Sequence, residues 1–118
     1  MYFSSYNLYL MQLNWIKITQ KLPDGNFVLP IHIQGSTYTL VSNKGNFYVF
    51  QSKCPHAHGL LYNGWCEEGK LICPIHRYSY FLETGRGSSG QGDYINTYPI
   101  ESRNDGLYVG IKKKWWKY

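Results

Sequence analysis

Cys54-Pro55-His56 and Cys73-Pro74-Ile75-His76, separated by sixteen residues, place two cysteines and two histidines in a pair of short loops. Each loop offers one thiolate and one imidazole, and in each a proline stiffens the backbone before any metal arrives. Thiolate and imidazole are the donors that soft and borderline first-row metals take. The four residues Cys54, His56, Cys73 and His76 are therefore candidate ligands of one metal centre.

Two chemistries accept this donor set. Zinc would take all four ligands tetrahedrally, whereas a mixed-ligand [2Fe–2S] cluster takes two Cys on one iron and two His on the other. Zinc motifs usually pair like with like, as C-x2-C or H-x3-H, while here the loops read C-x-H and C-x2-H. The full pattern adds Gly59, Leu60 and Gly64 after the first pair and Arg77, Tyr80, Phe81 and Gly85 after the second. With these residues it resembles the Rieske [2Fe–2S] ferredoxins, the soluble, low-potential members above all, and it is also similar to the small subunit of NAD(P)H nitrite reductase.

The resemblance spans roughly Trp15 to Ile111. It implies one [2Fe–2S] cluster per chain, held by Cys54, His56, Cys73 and His76. It further implies a one-electron carrier between a flavoprotein reductase and an oxygenase or another terminal enzyme, and not an enzyme in its own right. A structural Cys2His2 zinc module on the same four residues is the alternative from another class.

Composition narrows the function. At 118 residues and 13.8 kDa the chain is expected to form one domain. A Rieske oxygenase needs a further mononuclear iron, and only His32 and His58 remain beside the candidate ligands, so no small-molecule substrate of its own is expected. No stretch approaches the roughly twenty apolar residues of a membrane span, and Met1 to Leu10 lacks a basic region and an apolar run, which points to the cytoplasm. Of three cysteines two are candidate ligands, leaving Cys66 as a half-buried bystander and no pair for an intrachain disulfide, as in a reducing compartment.

The net charge is +5. Two ferric ions, two sulfides and two thiolates sum to zero, so reduction of such a cluster adds a single negative charge to a neutral centre. An all-cysteine cluster already carries negative charge, and this is why His ligation raises the potential.

Along the chain, residues 1–12 show neither alternation nor helical period and are expected to form a loosely packed N-terminal segment, in which Met11 offers a second start. Residues 13–111 are expected to form the cluster-bearing domain, with a cluster-binding lobe over about 54–82. Short β-runs at Trp15–Ile18, Phe27–Ile33, Thr37–Val41, Phe47–Phe50, Lys70–Ile72, Tyr78–Leu82, Ile95–Ile100 and Leu107–Ile111 are separated by turn residues. Asp24-Gly25, Gly35-Ser36, Asn43-Lys44-Gly45 and Asn104-Asp105-Gly106 each read as the turn of an antiparallel hairpin. Pro30 places its run at a sheet edge or a bulge.

The expected fold is all-β, built of small stacked antiparallel sheets. By the resemblance it is a base domain with an inserted cluster-binding subdomain. The tail of residues 112–118 carries four lysines among aromatics and is expected to be solvated, with no nucleic acid as partner; an acidic redox protein suits it better.

The resemblance also speaks to the surroundings of the cluster. High-potential relatives join their two loops by a disulfide at the positions of Gly59 and Ile75, and carry at the position of Tyr78 a Ser that hydrogen-bonds a sulfide. Tyr80 keeps the family's aromatic. Fewer donors to sulfur should bring the potential toward the lower end of the Rieske range, about −150 mV. His58 is expected to be a solvated loop residue. The loop Gly85–Gly92, with four glycines in eight residues, is either a cover for the cluster or a flexible surface loop.

Overall fold

In the computed structural model, which describes residues 12–56 and 58–112, the β-runs assemble into ten strands. They are β1 (Leu13–Lys17), β2 (Phe27–Ile33), β3 (Ser36–Asn43), β4 (Asn46–Gln51), β5 (Trp65–Glu67), β6 (Lys70–Ile72), β7 (Ser79–Phe81), β8 (Thr97–Tyr98), β9 (Ile100–Arg103) and β10 (Gly106–Lys112). A single 3-10 turn, Leu61–Asn63, is the only helical element among the described residues. The strands form three antiparallel sheets in the orders β1-β10-β9, β2-β3-β4-β8 and β5-β6-β7. The all-β architecture of small stacked sheets is thus what forms. The N-terminal segment, apart from Gln12 at its end, and the basic tail, apart from Lys112 at its start, lie outside the described residues.

Three hairpins close on two-residue turns whose central residues both have positive φ: Gln34-Gly35 (50° and 82°), Lys44-Gly45 (51° and 83°) and Glu68-Gly69 (49° and 76°). This mirror-image turn matches the right-handed twist of the strands it joins. β2 is an edge strand, as Pro30 requires, and its outer rim is closed by a side chain. Gln20 donates to the Pro30 carbonyl (3.2 Å) and accepts from the His32 amide (2.7 Å).

Two expectations are corrected. Asp24-Gly25 is not a hairpin turn, because β1 pairs with β10, from Leu13 opposite Lys112 to Lys17 opposite Tyr108. That distant pairing lets Ile16 and Ile18 pack against Val109 and Ile111, a burial that the adjacent run could not supply. The run Ile95–Ile100 is broken at Pro99, which has no amide proton for a ladder and whose carbonyl accepts from Gly110 (2.8 Å). β8 therefore pairs with β4, and β9 with β10 in another sheet. β5 is a strand for which no run was expected.

The period-two alternation of β3 and β4 organises the interior. Leu40 and Val49 face a core with Ile31, Ile33, Val109 and Ile111, while their neighbours Val41 and Phe50 face a second core with Leu61, Leu71, Tyr80, Leu82 and Ile95. The middle sheet is thus buried on both faces, each large apolar side chain contributing about 1.5–3 kcal/mol. Cys54 and Cys73 belong to the second core.

Candidate metal centre

Each ligand loop is tied at its base by backbone hydrogen bonds. In the first, which leaves β4, Lys53 and Leu60 form an antiparallel bridge, and the Cys54 amide donates to the Gly59 carbonyl (2.9 Å). Leu61, fully buried, anchors its far end. In the second, which joins β6 to β7, the Cys73 amide donates to the Tyr78 carbonyl (2.7 Å). His76 and Arg77 make the bend at φ of 58° and 57°. Both cysteines therefore sit at strand ends, where the core holds them, and both histidines stand further along at the tips.

The consequence is a division by depth. Cys54 and Cys73 are 3% and 0% exposed, whereas the side chain of His56 is 46% exposed and His76 is exposed as well. The thiols are neighbours: burial pushes Cys73 up to about 11, the Ile75 amide opposes the shift, and the Cys54 thiol adds to it. The Cys73 thiol, so raised, gives up its proton readily only to a compensating cation, as a metal ligand does. A Cβ on Gly59 would come within 2.9 Å of Cys73 Sγ and 2.8 Å of Ile75 Cγ1, so the absent side chain keeps the space beside the thiols open. Thiols, imidazoles and cradle fit a cluster ligated by two Cys and two His.

A polar network surrounds the pair. The Tyr80 hydroxyl lies 3.3 Å from Cys54 Sγ and donates to Asp93 Oδ2 at 2.8 Å. The same Oδ2 faces His56 Nε2 at 3.2 Å, and Gln91 Nε2 donates to Oδ1 at 3.0 Å. Burial, and then the contacts with Cys54 and Asp93, push the Tyr80 phenol far up, so it keeps its proton. Burial raises Asp93, but the bonds from Gln91 and Tyr80 and the field of His56 outweigh it and hold the carboxyl below its usual range. Tyr78 stacks on the His56 ring at 5.3 Å.

The loop Gly85–Gly92 is fastened against β7 and delivers Asp93. The Ser88 amide donates to Ser79 O (3.0 Å), the Ser79 amide to Gln91 Oε1 (3.0 Å), and the Gly87 amide to Asp93 O (2.9 Å). A Cβ on Gly87 would collide with the side chains of Asp93 and Gln91. Sequence reasoning missed Asp93 and Gln91, since neither has metal-ligand spacing to any loop residue; the glycine at 87 was the available signal.

The remaining candidates lie apart. His58 is exposed with φ of 52°, and Cys66 is half-buried with its thiol raised by burial. His32 Nδ1 pairs with Thr37 Oγ1 at 3.1 Å on β2 and β3. Among the described residues no three His, Cys, Asp or Glu side chains converge on a single point, and the three cysteines are free.

Comparison with known proteins gives the same chemistry. The Rieske [2Fe-2S] domain matches residues 13–99. The ferredoxin component of the naphthalene 1,2-dioxygenase system of Pseudomonas aeruginosa is 27% identical over 92 residues, 77% of this chain and 88% of that protein. The ferredoxin component of the alkene monooxygenase system of Xanthobacter autotrophicus is 28% identical over 74 residues, and the match spans 61% of its length. Among solved structures, the Sphingomonas yanoikuyae B1 ferredoxin superposes with a TM-score of 0.68 at 20% identity, covering 85% of this chain and 99% of that one. A Mycobacterium tuberculosis protein described as an NADH-dependent nitrite reductase small subunit superposes at 0.70 with 15% identity, covering 86% and 97%. A family match over residues 13–99, most of the chain, makes this chain a member of the Rieske [2Fe–2S] domain family, with one [2Fe–2S] cluster as its cofactor.

Proposed function

We propose that the chain is a one-electron carrier in which Cys54 and Cys73 hold one iron and His56 and His76 the other, and that it passes electrons from a flavoprotein reductase to an oxygenase or another terminal enzyme. The observation that carries this is the division by depth: buried neighbouring thiols on one side, exposed imidazoles on the other. When bound, the cluster supplies one reversible electron. The core around Cys54 and Cys73 excludes water from the thiolate side, while the loop tips leave the imidazole side open to a partner. The +5 charge of the chain suits an acidic partner, met fast and released fast.

The named relatives, ferredoxin components of naphthalene dioxygenase and alkene monooxygenase systems, support an oxygenase as acceptor. The superposition on the nitrite reductase small subunit favours a second arrangement, in which the chain serves as the small subunit of such a complex. We place the cluster-binding lobe at about residues 54–82 on a base formed by the rest of 13–111. Among the described residues no helix is long and apolar enough to cross a membrane, and with three free cysteines the chain is proposed to work in the reducing cytoplasm.

Iron and acid-labile sulfide analysis with a visible spectrum tests the assignment. The expected result is a red-brown protein with both present in equal amounts, bleached by Cys54→Ser, Cys73→Ser, His56→Ala or His76→Ala and untouched by Cys66→Ser. A colourless protein with stoichiometric zinc would replace the carrier by a structural module.

A further inference from the structure

Asp93 is an acidic group built into the surroundings of the proposed ligands, and its carboxylate reaches His56 directly and Cys54 through the Tyr80 hydroxyl. Its Oδ2 stands 3.2 Å from Nε2 of His56 and accepts the Tyr80 phenol at 2.8 Å, while the same phenol lies 3.3 Å from Cys54 Sγ. Tyr80 has a single proton to give. A carboxylate oxygen at 2.8 Å is a stronger acceptor than a sulfur at 3.3 Å, so the phenol proton is drawn to Asp93 and away from the sulfur. The Asp93 side chain is only 11% exposed, so its charge is weakly screened. Its position is enforced by Gln91, by the fastening of the loop on β7 and by the missing side chain of Gly87.

We propose that Asp93 is a positioning residue that lowers the reduction potential of the cluster, by facing Nε2 of His56 with a negative charge and by withholding the Tyr80 proton from Cys54. These contributions share one sign. A fixed negative charge opposes the arrival of an electron. A carboxylate paired with an imidazole ligand would make the ring a stronger donor to oxidised iron. A sulfur without its hydrogen bond loses stabilisation of the more negative, reduced state. The family's aromatic at position 80 would otherwise raise the potential; Asp93 cancels it.

The proposal rests on Cys54 and His56 being ligands, and the two ideas fail differently. If the ligand assignment fails, Cys54→Ser or His56→Ala leaves the cluster in place, and the bleaching series above detects it. The proposal itself is tested by protein-film voltammetry of Asp93→Asn, Tyr80→Phe and the double variant, with iron content and the visible spectrum as checks on loading. Asp93→Asn should load normally and reduce at a higher potential than the wild type. Tyr80→Phe should lower the potential more in the Asp93→Asn background than in the wild type, because only there does the phenol proton turn to sulfur. An Asp93→Asn potential equal to the wild type, or an equal effect of Tyr80→Phe in both backgrounds, would overturn the proposal. Asp93→Ser removes the charge without crowding the loop and is read the same way. Loss of iron from both Asp93 variants would assign the residue to assembly of the loop and would equally overturn it.

Discussion

The Cβ position of Gly59 lies 3.4 Å from Cβ of Ile75, so the two ligand loops touch at the residues whose counterparts in high-potential relatives are the disulfide pair. That separation is close to the roughly 3.5–4.5 Å between the β-carbons of a disulfide. Here Ile75 packs over the backbone of Gly59 at that point.

Gly59→Ala follows from this contact. The new methyl group would press on Cys73 Sγ and on Ile75, a cost of about 1–3 kcal/mol that falls on a ligand. Iron content and visible absorbance should drop while far-ultraviolet circular dichroism stays that of the wild type. Full loading of this variant would mean that Cys73 has room to move.

The two cores give a test of the division into base and lobe. Leu40 lies in the core with Val109 and Ile111, and Leu71 in the core with Cys54 and Cys73; both are fully buried. Truncation to Ala should cost about 2–5 kcal/mol at either site in denaturant unfolding. Only Leu71→Ala should hasten release of iron from the folded protein. Equal release from both would show one cooperative unit.

Cys66 should behave as a protected thiol. Burial raises its thiol above that of a free cysteine, so at neutral pH less of it is thiolate, and alkylation should be slow. The rate should climb with pH to a midpoint above that of a free cysteine. The sign for stability follows: the neutral thiol is preferred in the fold, so its contribution is complete at low pH and is lost as pH rises past the unfolded value. Mass spectrometry of iodoacetamide-treated holoprotein measures the rate, and a midpoint below that of free cysteine would refute the burial.

The reduction potential should fall at alkaline pH and be flat below it. An imidazole bound to iron through one nitrogen keeps a proton on the other, and oxidised iron draws more charge from the ring, so the proton is held less tightly before reduction than after. Uptake of an electron is then coupled to uptake of a proton. Voltammetry from neutral to strongly alkaline pH gives the curve; a flat trace throughout would show that neither loop tip exchanges its proton with water.

Much of this protein was legible in order along the chain because the causes are local. Two Cys and two His in proline-stiffened loops specify a chelate by short-range spacing, and Asn43-Lys44-Gly45 specifies a turn because Gly45 takes positive φ without cost. Alternation in β3 and β4 foretold the strands and the all-β class. What alternation cannot specify is a partner: Leu13–Lys17 reads equally well beside its neighbour in sequence or beside β10, and burial of Ile16 and Ile18 on Val109 and Ile111 selected the latter. Pro99 marked a break, but its division of one run between two sheets depended on where Gly110 lay. Cys54, His56, Cys73 and His76 were named from sequence; their separation into buried thiols and exposed imidazoles came from the ends of β6 and of the first loop meeting in one core. Asp93 belongs wholly to the tertiary structure, since its reach to His56 and Tyr80 exists only after the glycine-rich loop has folded onto β7 and Gly87 has left the carboxylate its space.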